Sequence, residues 1–308
     1  MRPLLVIAAL IAGPASAQSR AAFTVLQSGQ SFESLQDAVD SLGGGDGTIE
    51  IRPGRYRDCA VQEEGRVAFV ARTPGTVVFD GGICEDKATL VLRGRASHVE
   101  GVTFTRTFVE DGNGAGIRME KGNLTVVSAK FVDAQSGILS ANDPASTITI
   151  DHSTFAGLGK HPDGNGAHSL YVNFYGGLRV TNSRFERGTG GHYLKSRAPR
   201  IEVLGNSFDD SHGRNTNYMI DLPNGAVGRI AGNVFVNGRD KDNYGTMIAV
   251  TAEERKHRSA GLLIEDNRAW LVSGFPFATT FVRSWTDEPI TVRNNQLGDG
   301  IGTFKTRY

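Results

Sequence analysis

Three of the seven histidines of this 308-residue chain, His168, His192 and His212, fall within 45 residues of one another, among Tyr171, Tyr193, Lys195 and Arg197 and shortly before Asp221. The stretch reads HPDGNGAHSLYVNFYGG, then GTGGHYLKSRAPR, then SHGRNTNYMIDLPNG, across residues 161–224. Leu170, Leu194 and Ile220 align as equivalent core residues of three successive coils. That alignment puts Tyr171, Lys195 and Asp221 one step later, pointing outward in a ladder of about 4.8 Å per rung. By the same period-two rule Tyr193, Lys195 and Arg197 share the outer face, while His168 and His192 turn inward.

A Tyr, a Lys, an Arg and an Asp on one patch suit β-elimination of a uronic acid. The reaction needs a base for the proton α to the carboxylate, a cation to hold that carboxylate, and an acid for the leaving oxygen. Lys195 is the expected base, Tyr171 or Tyr193 the acid, and Arg197 the carboxylate holder. The same proton chemistry without loss of the leaving group is C5 epimerisation. His192 with Asp221 is an alternative acid–base pair. A plainer reading also fits these residues: Lys195 and Asp221 as a surface ion pair worth less than about 1 kcal/mol, with His168 and His192 as satisfied structural histidines. His168, Asn173, Asn217, Tyr218, Asn224 and Tyr244 are expected to contact sugar, the tyrosines by presenting ring faces.

The elements that must carry these residues are written as a repeat. GVTFTRT, SAKFVDA, HSTFAGL, NSRFERG, NSFDDS and NVFVNG bring Phe104, Phe131, Phe155, Phe185, Phe208 and Phe235 at intervals of 27, 24, 30, 23 and 27 residues. Each unit runs apolar-x-apolar-x-Asn/Ser-x-Phe, as in LRVTNSRF and GRIAGNVF, too short for a helix and alternating as a strand does. The Asn and Ser positions are expected at turns. Stacking such strands buries one face of each in a continuous core, with parallel pairing and right-handed crossovers. The predicted fold is therefore all-β, a single-stranded right-handed parallel β-helix of one domain over residues 18–308. One short amphipathic helix is predicted at 32–42, with Ser31 as N-cap and Gly43-Gly44-Gly45 as its stop, placed to cap the first coil.

This pattern resembles the right-handed parallel β-helix proteins of the pectate-lyase-like superfamily over most of residues 23–300. More narrowly, HSLYV, GHYLKSRA and YMIDLPNG look like a family of exported proteobacterial β-helix proteins of unsettled function. YLKS is similar to the strand end that carries the Lys base in β-helix lyases of the chondroitinase B and alginate lyase type. Those enzymes place acidic calcium ligands just before the Lys, where this chain has Tyr193, so the likeness does not extend to calcium. IDHSTF at 150–155 echoes the Asp-His strand of pectate lyases, but the next coil lacks the acidic pair expected there, and Asp151 and His152 read as coil residues. Asp209-Asp210 is similar to the paired aspartates of polygalacturonases without their companion motifs. Asp163, Asp221 and Glu253 are further carboxylates for a hydrolase, which needs two positioned ones. Two DGNGA turns, at 111–115 and 163–167, offer oxygens to Ca2+, yet four residues supply too few ligands unaided.

Composition sets the outer limits. The 33 basic and 33 acidic residues balance, and no basic tract or aromatic interleaving suggests a nucleic-acid partner. Arg2, an apolar run over 4–12 and Ala15-Ser16-Ala17 have the layout of a secretory signal peptide cleaved near Ala17. No later run approaches the length of a membrane span. A periplasmic or secreted protein permits a disulfide between the two cysteines, Cys59 and Cys84, whose loop of about 26 residues the chain-entropy model values at ~3.5 kcal/mol. The expected partner is an acidic, uronate-containing polysaccharide acted on by a lyase or epimerase. The rivals are a non-catalytic glycan-binding or structural β-helix, and a glycoside hydrolase.

Overall fold

The computed structural model describes residues 21–159 and 167–306, so the expected signal peptide and most of the second DGNGA turn lie outside the described residues. Three sheets run the length of the chain, of twelve, ten and ten strands, and every third strand in sequence is a neighbour in space. Beyond the antiparallel pairing of Phe23–Val25 and an isolated Cys84–Ala88 bridge, the described strands from Asp46–Ile51 onward pair in parallel, which makes the chain a parallel β-solenoid. The right-handed sense is the one that parallel crossovers adopt.

The Phe repeat forms the inner face of one ten-stranded sheet. Phe104, Phe131, Phe155, Phe185, Phe208 and Phe235 pair rung to rung. Phe79, outside the repeated phrase, extends the column by one rung. Ring centroids are 4.7 Å apart between Phe155 and Phe185 and 4.8 Å between Phe185 and Phe208, nearly parallel in both cases. The column needs room from the facing sheet. A Cβ on Gly137 would lie 2.6 Å from a Phe155 ring carbon, so only glycine fits there.

Ser153, Ser183, Asn206 and Asn233, two residues before Phe155, Phe185, Phe208 and Phe235, are turn residues, and they are also buried. Ser183 N–H donates to the Asn206 side-chain oxygen, Asn206 N–H to Asn233, Asn233 N–H to Asn267 and Asn267 N–H to Asn295, at 2.8, 2.8, 3.0 and 3.0 Å. The side-chain amides of Asn206 and Asn233 donate in turn to the carbonyls of Val180 and Val203. A corner that leaves the ladder pattern is thereby satisfied internally, as a buried backbone requires.

The N-terminal helix is shorter than predicted, Leu35–Asp40, with Ser34 rather than Ser31 as its N-cap. Ser31–Phe32 instead pairs antiparallel with Phe23–Val25. The unpaired edge of Phe23–Val25 takes up the residues that helical spacing had claimed, because a strand edge offers backbone partners that the first turn of a helix lacks. Leu35, Ala38 and Val39 join the solenoid core. Cys59 and Cys84 are disulfide-bonded, with Cα atoms 5.6 Å apart. Among the described residues no helix is long and apolar enough to cross a membrane.

Candidate functional site

The third sheet carries the residues singled out by their chemistry. Leu170, Leu194 and Ile220 are in register in its core, and Tyr171, Lys195 and Asp221 are in register beside them. The row continues in both directions. Arg118 and Leu139 precede Tyr171, and Ala249, Arg283 and Lys305 follow Asp221.

The alternation expected around Lys195 fails at one point. Tyr193 is buried in the core, not on the outer face, and His192 lies on the outer side. The chain bends just before Leu170–Val172, Leu194–Ser196 and Ile220–Leu222, so the bend residue and the first strand residue both face inward. Ser169 with Leu170, Tyr193 with Leu194, and Met219 with Ile220 behave alike and are all buried. Period two holds within a strand but not through a corner. His168, His192 and Tyr218 therefore form an outward column of their own. The rings of His168 and His192 stack at 4.8 Å, and those of His192 and Tyr218 at 5.3 Å.

Around Lys195 the charges interlock. Its Nζ lies 2.7 Å from Glu253 Oε1 and 3.4 Å from Asp221 Oδ2. Glu253 Oε2 meets Arg197 Nη2 at 2.6 Å, so one carboxylate bridges both cations. Arg197 Nε donates to Tyr171 Oη at 2.8 Å. Asn224 is buried, its oxygen accepting from Arg197 and its amide donating to the Glu254 carbonyl, so it orients Arg197 rather than facing a ligand. By its place in the sequence Glu253 is one loose carboxylate among several. It reaches the row from a turn after Thr246–Val250, a placement that no spacing rule signals.

Burial sets the protonation pattern. Asp221 is pushed up to about 6 by desolvation, against the pull of Lys195, and its Oδ1 is buried without a partner. His192, 3.3 Å from Asp221 through Nε2, is held well below its ordinary value by burial, and His168 is lowered to about 3, by desolvation first and then by Lys195 and Arg197. Both histidines are neutral. His168 Nδ1 accepts the His192 backbone N–H at 3.0 Å, leaving its proton on Nε2. Burial works to raise Glu253, but hydrogen bonds from Lys195 and Arg197 hold it below the ordinary value.

Other expected site residues lie close by. Asn173 and Tyr171 line a cavity of about 490 Å³ shared with Lys87, Arg118 and Asn142. Asn217 donates to Asp242, and Tyr218 Oη accepts from Asn243. Tyr244 is exposed and stacks on Phe277 at 4.0 Å. His212 lines a different concavity, with Asp133 and Arg187.

The aspartate pair of a hydrolase does not assemble. Asp210 is fully buried, accepting from Tyr193 Oη at 2.7 Å and Thr216 Oγ1 at 2.8 Å and pairing with Lys241 Nζ at 3.0 Å, while Asp209 turns outward to Ser211. Neighbours on a strand point to opposite faces. Tyr193 is thus tied into a structural network, its pKa raised by burial and by Asp210, and it has no route to act as the acid. Asp111 caps its own turn by accepting from Asn113 N–H. Among the described residues no group of three or more His, Cys, Asp or Glu side chains is placed to hold a metal.

No protein-family model matches the sequence, and none of the curated proteins does. Among solved structures the chain is similar to the Streptococcus pneumoniae surface protein and adhesin PfbA, at 13% identity and TM-score 0.37, over 88% of this chain and 94% of that one. It is also similar to a pectin methylesterase variant in complex with a hexasaccharide, at 12% identity and TM-score 0.38, over 90% and 78% of the two chains. The solenoid of this chain is established by its own strand register.

Proposed function

We infer that the outer face of the third sheet processes an acidic, uronate-containing polysaccharide by moving the proton α to the sugar carboxylate, in β-elimination or C5 epimerisation. The observation that carries this reading is the Glu253 carboxylate bridging Lys195 and Arg197 beside Tyr171 Oη. Two cations already seat a carboxylate there, and Glu253 is on a half-exposed turn side chain that an incoming uronate can displace.

In that pose Arg197, held by Asn224, takes the sugar carboxylate and stabilises the charge that develops on it. Lys195 is the proposed base for the α proton, and Asp221, 3.4 Å from its Nζ, faces it from behind. In elimination the C–H electrons form the double bond, the C–O bond to the leaving sugar breaks, and Tyr171 gives its proton to that oxygen. The phenolate left on Tyr171 is met by Arg197 and is reprotonated from Lys195, whose Nζ lies 5.7 Å from the ring centre. In epimerisation the proton returns to the other face of the same carbon. The export expected from residues 1–17 agrees with the disulfide, which forms in oxidising compartments.

Incubation with uronate polysaccharides in deuterated water tests both branches. Elimination raises the ultraviolet absorbance of an unsaturated uronide, and epimerisation places deuterium at C5. Lys195→Ala is expected to lower either signal by about a hundredfold or more. Binding with neither signal on any uronate polymer would overturn the proton chemistry. One observation favours a second reading, non-catalytic glycan binding: Lys195 is only 8% exposed. Under that reading Lys195→Ala changes affinity alone.

A further inference from the structure

The row that holds Lys195 carries another cation three rungs on. From Lys195 the register passes through Asp221 and Ala249 to Arg283, about 14 Å along the solenoid axis at the usual strand spacing. Arg283 differs from Lys195 and Arg197 in its partners. Among the described residues no carboxylate lies within ion-pair distance of it; Nη2 donates to the Gly245 carbonyl at 3.2 Å, and Nε is buried without a hydrogen bond. Its guanidinium lies over Trp285, 5.7 Å from the ring centroid, and Trp285 shares the outer face two residues on. Trp285 is also 6.5 Å from Tyr218, the end of the His168–His192–Tyr218 column. A wall of rings thus leads from the Lys195 cluster to a cation that no carboxylate neutralises among the described residues.

We propose that Arg283 and Trp285, with Tyr218, form a second sugar subsite that holds another acidic residue of the same polysaccharide, its carboxylate on Arg283 and its ring face on Trp285. This rests on the reading of the Lys195 cluster as a uronate site and adds the direction of the bound chain, along the solenoid axis. A guanidinium already lying against an indole is preorganised for that task, since its planar donors match a carboxylate and the indole offers a sugar a flat apolar face. It also makes recognition length-dependent. A short oligosaccharide fills the Lys195 cluster alone, and a longer one reaches Arg283.

Binding of galacturonate oligosaccharides, a disaccharide and an octasaccharide, measured calorimetrically on the full chain, separates the cases. Arg283→Ala is expected to weaken the octasaccharide on the order of tenfold and leave the disaccharide unchanged. Arg283→Gln, which keeps a donor for the Gly245 carbonyl, should show the same selective loss and serves if the alanine variant does not fold. Equal weakening of both lengths, or of neither, overturns the subsite while the function stands. If the native protein binds neither length, the uronate reading falls and the subsite with it.

Discussion

The Phe column and the outer row of the third sheet climb the same coils at the same spacing, yet they are built on opposite plans. In the column each rung repeats one residue, buried and stacked on its like from Phe79 to Phe235. From Arg118 to Arg283 the row repeats no residue type on adjacent rungs: Arg118, Leu139, Tyr171, Lys195, Asp221, Ala249, Arg283. Repetition suits a core, where identical shapes pack at one spacing. A face that binds a ligand needs different groups at different heights, so stability and chemistry are assigned to different sheets of one solenoid.

The sharpest way to break this contrast is Phe185→Ala. It removes a ring packed on both sides and should cost about 3–5 kcal/mol in denaturant unfolding. Tyr171→Phe, on the outer row, should cost under about 1 kcal/mol while removing the proposed acid. Similar losses from the two variants would mean that the column is not where the stability resides.

Asp221 should be stabilised by neutralisation, against the usual direction for a paired carboxylate. Its folded pKa, about 6, lies above the ordinary 3.8, so between those values the folded state binds more protons and stability falls as pH rises. Asp221→Asn should therefore gain up to about 3 kcal/mol on the native chain at pH 8, with the gain vanishing near pH 4. A gain independent of pH would place the cause outside the titration.

The histidine column has the opposite sign. His168 is depressed to about 3, so the stability tied to its neutral form is whole above the ordinary 6.5 and is lost as pH falls toward 3. His168→Phe should remove about 2 kcal/mol of the loss between pH 6.5 and pH 5, read from melting curves across that range. The smallest effect concerns Glu253, which competes with an incoming carboxylate. Glu253→Gln should tighten disaccharide binding about fivefold, or about 1 kcal/mol. Weaker binding instead would make Glu253 a ligand-holding residue rather than a displaceable one.

Much of this was legible in the residues themselves. The Phe spacing located the coils, and the alignment of Leu170, Leu194 and Ile220 placed Tyr171, Lys195 and Asp221 in one row, because parallel strands in a solenoid keep a common register. Reading stopped where the chain turns. At the corner before Leu194–Ser196 the alternation reverses, which sent Tyr193 inside to Asp210 and brought His192 out beside Asp221. The short helix was misjudged for a related reason: Ser31–Phe32 has helical spacing to Leu35, but an open strand edge lay within reach.

The sequence alone determined the coil, its repeat, the disulfide partners and the outward row, since each follows from side-chain periodicity or from there being two cysteines. Only the tertiary structure decided which carboxylates share that row's charges. Glu253 and Lys195 are 58 residues apart in sequence, and the hydrogen bond that joins them depends on how a turn folds back over the sheet. Register is local and repeats, whereas the path of a turn is set by everything it packs against.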